Sequence, residues 1–181
     1  NEEDKPANPE VVTLQNLIDN AAFGDEIDLS AHKDLSGYNA TVNKALTIKN
    51  GNLNNATLTV TAENVKLDKL ENVSVATSSK LSVNNSKLNV LSVGATTETS
   101  RSTISAVEMS PAMVSVTASE IGNVELNGFN SQLNIVDAKT KIDDIITSTK
   151  AKIILEAGSY EGMKDPTVTD DGELTRVDMT K

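Results

Sequence analysis

Acidic pairs are the residues of this chain best suited to chemistry. Asp143-Asp144 offers carboxylate oxygens, the donors that a hard cation such as calcium takes. Adjacent residues of a strand point to opposite faces, so the pair converges only where a turn brings it round, and a solvated turn is the expected reading. Asp170-Asp171-Gly172 has the composition of a β-turn with glycine at the left-handed position. Of the two arginines, Arg101 lies near no acidic cluster in the sequence, and Arg176 follows the turn at Asp170-Asp171-Gly172. The single histidine, in Ala31-His32-Lys33, reads as an exposed loop residue rather than a general base, and one histidine so placed supports no Ser-His-Asp relay. No phosphate-binding glycine loop and no histidine pair at metal-ligand spacing occurs. With no cysteine, a disulfide scaffold, a zinc–thiolate site and a cysteine nucleophile are excluded. The residues therefore assign no catalytic position, no metal site and no cofactor.

Asparagine is abundant, Asn50, Asn52, Asn54, Asn55, Asn72 and Asn89 among its positions. Such residues can present amides to glycan hydroxyls. They also suit turns, where their side chains stack from one repeat to the next as a hydrogen-bonded ladder, and the ladder is the expectation. Glycan sites commonly offer an aromatic platform, and the aromatic residues are Phe23, Tyr38, Phe129 and Tyr160. Phe23 is expected in the core or a cap; Phe129, in Gly128-Phe129-Asn130, is expected in a turn. Met109-Ser110-Pro111-Ala112-Met113 marks a bulged turn between strands.

The elements that position these residues show in the apolar pattern. Pairs of aliphatic residues recur in two series at intervals of roughly twenty residues, the spacing of stacked repeats. One series runs Leu46/Ile48, Val65/Leu67, Leu88/Val90, Ile104/Val107, Val124/Leu126 and Ile142/Ile145. The other runs Leu58/Val60, Val73/Val75, Leu91/Val93, Val114/Val116, Leu133/Ile135 and Ile153/Leu155. Most pairs flank one polar residue, so the pair points inward and the middle residue faces solvent. The intervening turns are too short for crossover helices and lack the Asn-Gly signals of a hairpin meander. The expected fold is all-β: a single-stranded parallel β-helix, a solenoid whose rungs pair in parallel. Spacing in Val65-Lys66-Leu67-Asp68-Lys69-Leu70-Glu71-Asn72-Val73 also echoes a leucine-rich repeat, but that consensus fails elsewhere.

Composition agrees with thin stacked coils. Hydrophobic residues make up 38% of the 181 residues and aromatics 2%, so the core must be aliphatic. Formal net charge is -10, with a pI of about 4.5. Neither nucleic acid nor an anionic membrane surface is expected as a partner, since both need clustered Lys and Arg. No apolar run has the length of a membrane span, so no membrane insertion is expected.

Residues 13–23 carry the one strong helical signal. Thr13 is placed to cap, and Leu14, Leu17, Ile18, Ala21 and Ala22 share a helical face. Gly24 is the expected stop. Asn16 stands where a capping box prefers Glu or Gln, which leaves the box imperfect. The organisation expected is a polar tether over 1–10, a β-helix over 11–162 with its cap helix at about 13–23, and a C-terminal cap or tail over 163–181.

The segment from Thr13 to Leu29, an amphipathic helix followed by Gly24-Asp25 and a first strand, resembles the N-terminal cap of right-handed parallel β-helix proteins, the pectate-lyase-like superfamily. Ser36-Gly37-Tyr38 is a partial echo of the Pro-Gly-x-Tyr stretch of that group and lacks its proline. The resemblance implies a right-handed coil. It also implies one of two roles, a lyase or hydrolase of acidic polysaccharides, or a non-catalytic adhesin or surface protein. Of the polygalacturonase stretches Asn-Thr-Asp, Asp-Asp, Gly-His-Gly and Arg-Ile-Lys, the chain carries the bare Asp143-Asp144 alone. The expected role is therefore a non-catalytic secreted or cell-surface module, structural, adhesive or carbohydrate-interacting, with a glycan or a surface protein as partner. Residues Asn1 to Pro9 resemble the spacer behind the lipidated cysteine of bacterial surface lipoproteins, which implies a lipid anchor upstream of Asn1.

Overall fold

Alternating apolar and polar residues build short strands that pair in parallel and wind as a β-solenoid of about 5 turns, with rungs of about 19 residues. The computed structural model describes residues 12–94, 112–126, 131–136, 139–147, 152–155 and 167–168. The expected tether, most of the expected tail, Arg101, Arg176, Ile104/Val107, Phe129, Tyr160 and Asp170-Asp171-Gly172 lie outside the described residues.

Two stacks of strands form the broad sides. The first comprises β1 (Glu26–Asp28), the leading parts of β3 (Thr47–Val60) and β4 (Val65–Thr77), then β5 (Lys80–Asn84), β7 (Met113–Thr117), β9 (Gln132–Ile135) and β11 (Lys152–Leu155). The second comprises β2 (Ala40–Val42), the trailing parts of β3 and β4, then β6 (Lys87–Val93), β8 (Glu120–Leu126), β10 (Lys141–Thr147) and β12 (Thr167–Val168). Identical register puts Ile27, Ile48, Leu67, Val83, Val116 and Ile135 in one buried column. Val42, Val60, Thr77, Val93 and Leu126 form its counterpart. The buried apolar residues among those described are all Ala, Val, Leu or Ile, the aliphatic core the composition requires.

The apolar series need one correction. The two series exchange stacks: the first passes to the second stack at Leu88/Val90, which lies in β6, and the second passes to the first stack at Val114/Val116, which lies in β7. Equivalent positions elsewhere lie 16 to 21 residues apart, but Ser86 and Ser119 lie 33 apart. A fixed step of about twenty therefore passes over Leu81/Val83, the pair that stacks on Val65/Leu67, then meets Ile104/Val107 between Gly94 and Ala112, and so falls out of phase.

Helix α1 (Leu14–Asn20) covers the first rung with Leu14 and Ile18, both fully buried. Its capping box is complete. Asn16 N–H donates to Thr13 Oγ1 at 3.1 Å and Thr13 N–H donates to Asn16 Oδ1 at 3.0 Å, so the amide does the work of Glu or Gln. The helix stops at Asn20, short of the expected Phe23. Ala21 is extended, and Lys44 Nζ donates to the carbonyls of Asp19 and Ala21 at 3.2 and 2.8 Å, satisfying the helix end with a cation. Gly24 (φ 81) belongs to the turn beyond, so Phe23 points away from the core and is 80% exposed, against expectation.

Four successive rungs turn their first corner through a residue of left-handed conformation. Asn50 (φ 61), Lys69 (φ 53), Asn85 (φ 50) and Ala118 (φ 47) occupy equivalent positions. The next residue points inward, and in later rungs it is a hydroxyl residue: Ser86, Ser119 and Thr140, each almost wholly buried. These hydroxyls link the rungs. Ser86 Oγ accepts from Leu70 N–H at 3.2 Å and donates to Asn84 O at 2.8 Å. Ser119 Oγ accepts from Ser86 N–H at 3.1 Å and donates to Thr117 O at 2.9 Å. Thr140 Oγ1 accepts from Ser119 N–H at 3.4 Å. In the rung of β3 Gly51 holds this position because a Cβ there would lie 2.7 Å from Leu29 Cδ1.

Charges brace the N-terminal rungs. Lys49 sits in register between Asp28 and Asp68 and pairs with Glu26 at 2.6 Å. The Glu26 hydrogen bond, opposed by desolvation and aided by the neighbouring carboxylates, raises the Lys49 pKa. The Ser30 side chain, then the Asn50 amide and the Ser30 backbone N–H, lower the Asp28 pKa by hydrogen bonding to the carboxylate.

Four variants test this account. Ala118→Asn is expected to raise stability by about 1 kcal/mol in denaturant unfolding, because asparagine tolerates the left-handed region better than alanine. Ser119→Ala is expected to lower it by about 1–3 kcal/mol, since Ser86 N–H is left buried without its acceptor. The surface change Ser92→Ala, which removes a hydroxyl donating to Glu125, is expected to stay within about 0.5 kcal/mol. The depressed pKa of Asp28 adds stability that is present above the unfolded value of about 3.9 and lost as pH falls through the folded one. Asp28→Asn should thus flatten the acid limb of a plot of melting temperature against pH and leave the neutral plateau lower.

Candidate functional site

The corners fix where outward side chains stand. Immediately after the inward corner residue, each rung places one residue on the narrow third side, and strand pairing stacks Asn52, Glu71, Lys87, Glu120 and Lys141 in one column. All five are exposed. Their backbones repeat at the parallel strand spacing of about 4.8 Å. Charge alternates down the column: acid, base, acid, base.

The second corner forms the opposite wall. Asn54 (φ 51), Asn55 (φ 64) and Asn72 (φ 56) turn the chain through the left-handed region, which asparagine accepts. Their side chains form the expected ladder. Asn72 Nδ2 donates to Asn52 Oδ1 at 3.4 Å, and Asn89 Nδ2 donates to Asn55 Oδ1 at 3.0 Å and to Asn72 Oδ1 at 3.1 Å. In the next rung Gly122 replaces the side chain, because a Cβ there would lie 2.7 Å from the Asn89 carbonyl oxygen.

Between the column and the ladder lies an open groove of about 510 Å³. Leu88 and Ile121, both nearly buried, border it; its polar lining includes Glu71, Lys87, Asn89, Glu120, Lys141 and Asp143. A shallower groove of about 320 Å³ shares Asn52, Glu71 and Lys87 and continues it across Lys69 and Asn85. The two together run along the solenoid axis. Among the described residues the ion pair within 4.0 Å is Lys49–Glu26, so the charged heads of the groove are held at no such distance from one another.

Asp143, a sequence candidate, lines this groove and is exposed; Asp144 beside it is half-buried. The pair sits in β10 at the second corner, where Ile142 turns inward before it. Among the described residues no group of three or more His, Asp or Glu side chains is placed to hold a metal ion. Three carboxylates, Glu71, Glu120 and Asp143, do share the groove with two lysines, but they are strung along it. His32 is exposed after the 3-10 turn Leu29–Ala31 and lines a separate cleft beside the cap helix. The carboxylates of that cleft are engaged: Asp25 accepts from Ala22 N–H at 2.8 Å, Asp28 from Ser30, and Glu26 pairs with Lys49.

Sequence reasoning found the asparagines and missed the charged column. The signal was present, a left-handed residue, a small inward residue and a charged one in Asn85-Ser86-Lys87 and Ala118-Ser119-Glu120. Only the register reveals that those charges align. No family model, no curated protein and no solved structure matches the chain, so the groove is read from its own geometry.

Proposed function

We propose that the chain is a non-catalytic module, secreted or displayed on a bacterial surface, whose axial groove holds a linear glycan. One observation carries this reading: a polar groove, rimmed by exposed charged side chains and an amide ladder, follows the solenoid across successive rungs. A groove of that shape suits an extended chain held by many weak polar contacts, each sugar meeting one rung. The Asn72–Asn89 ladder is itself internally bonded, so it enters binding without losing side-chain freedom. The resemblance of the capping segment to pectate-lyase-like proteins and of Asn1–Pro9 to lipoprotein spacers supports the extracellular setting.

A second reading has its own observation. Three carboxylates and two lysines share one groove, the inventory that a lyase of acidic glycans draws on. Absorbance of unsaturated product from polygalacturonate, with and without calcium, separates the two; product formation by the purified chain overturns the non-catalytic reading.

On a glycan array the chain is expected to bind extended linear glycans and to ignore monosaccharides, with signal rising with chain length. Lys87→Ala is expected to weaken the best ligand about tenfold, the worth of one charge-assisted contact, with the melting temperature unchanged because Lys87 is exposed. Silence across the array, or binding indifferent to Lys87→Ala, overturns the groove as a glycan site.

A further inference from the structure

We infer that the groove selects a linear glycan in which amino and carboxylate groups alternate along the chain. This rests on the groove being a glycan site and goes beyond it by naming the charge pattern of the ligand.

The register supplies the pattern. Glu71 pairs with Lys87, Lys87 with Glu120 and Glu120 with Lys141, so sign changes at every rung and repeats at every second one. Neighbouring rungs are about 4.8 Å apart, and a pyranose ring advances a linear glycan by a comparable distance. Successive sugars therefore meet successive charges. A polyanion gains at Lys87 and Lys141 and is repelled at Glu71, Glu120 and Asp143, against a chain whose net charge is already -10. A polycation meets the opposite conflict at the two lysines. A chain of alternating sign satisfies all four column positions at once, with like charges kept apart. The column is free to respond, since its side chains are exposed and none is within 4.0 Å of an opposite charge among the described residues. Asn89 spends both amide hydrogens on Asn55 and Asn72, which leaves its carbonyl oxygen to accept from a sugar hydroxyl or ammonium.

Alternation also relieves repulsion between stacked rungs, and it makes the column complementary to an antiparallel copy of itself: Glu71 against Lys141, Lys87 against Glu120. The experiment distinguishes these roles. Four linear probes of matched length are titrated into the whole chain at pH 6: de-N-acetylated hyaluronan, in which glucuronate and glucosamine alternate; polygalacturonate; chitosan; and a neutral cello-oligosaccharide. The alternating polymer is expected to bind at least tenfold tighter than either uniformly charged one. The double change Lys87→Glu with Lys141→Glu should move preference to chitosan. Glu71→Lys with Glu120→Lys should move it to polygalacturonate. All four changes together restore alternation and should restore the alternating polymer as the best ligand. Melting curves confirm that each variant is folded.

Equal or tighter binding of a uniformly charged or neutral probe overturns the inference and leaves the groove a glycan site. Failure of every probe with the folded chain removes the glycan reading as well. A dimer in sedimentation that disappears in the double lysine variant, with no probe bound, assigns the column to a second copy and also overturns the inference.

Discussion

The corner between the first broad side and the narrow side is the constraint on which the rest of the molecule depends. There the backbone takes the left-handed conformation at Asn50, Lys69, Asn85 and Ala118, and the following residue swings inward. A turn of the solenoid cannot bury its apolar face alone, so it persists only in register with its neighbours. At the corner the strand ladder breaks, and its N–H groups would be buried without acceptors. Ser86, Ser119 and Thr140 supply those acceptors from the adjacent rung. The hydroxyl thus joins one rung to the next where sheet hydrogen bonding is interrupted, and it fixes the register of every residue on both sides.

Inward and outward alternation was legible in the chain because period two is a local property. The pairs at Leu46/Ile48, Leu58/Val60 and Val73/Val75 are buried as their spacing implies. The asparagine ladder was legible for a similar reason, since asparagine at a turn has few other uses. Stack membership was not local. It depended on rung lengths that vary, 16 residues from Leu70 to Ser86 and 33 from Ser86 to Ser119, and no residue type announces them. The helix end and Phe23 depart from the pattern at Ala21, which is extended; Lys44, distant in sequence, satisfies the carbonyls of Asp19 and Ala21 there, and Phe23 lies exposed in the turn beyond. The hydroxyl ladder hid behind the general expectation that serine marks exposed turns; three buried Ser and Thr in equivalent corners become visible only when the rungs are aligned.

The groove follows from the same constraint. Once the corner residue points inward, its successor must point outward, and parallel register stacks those successors in a column whatever their chemistry. Elsewhere stacked outward residues are of both kinds, small and neutral in Ser82, Ser115 and Asn134 or Thr41 and Thr59, charged in Asp28, Lys49 and Asp68. The narrow side carries four long charged side chains in succession. Repulsion between rungs would be avoided as well by serine or threonine, with less side-chain entropy to lose on ordering. Long charged residues with no ion pair within 4.0 Å among the described residues add little to the stability of the coil itself. The column stands beside the groove, whose other wall is an amide ladder held by its own hydrogen bonds, and Leu88 and Ile121 reach the core between them.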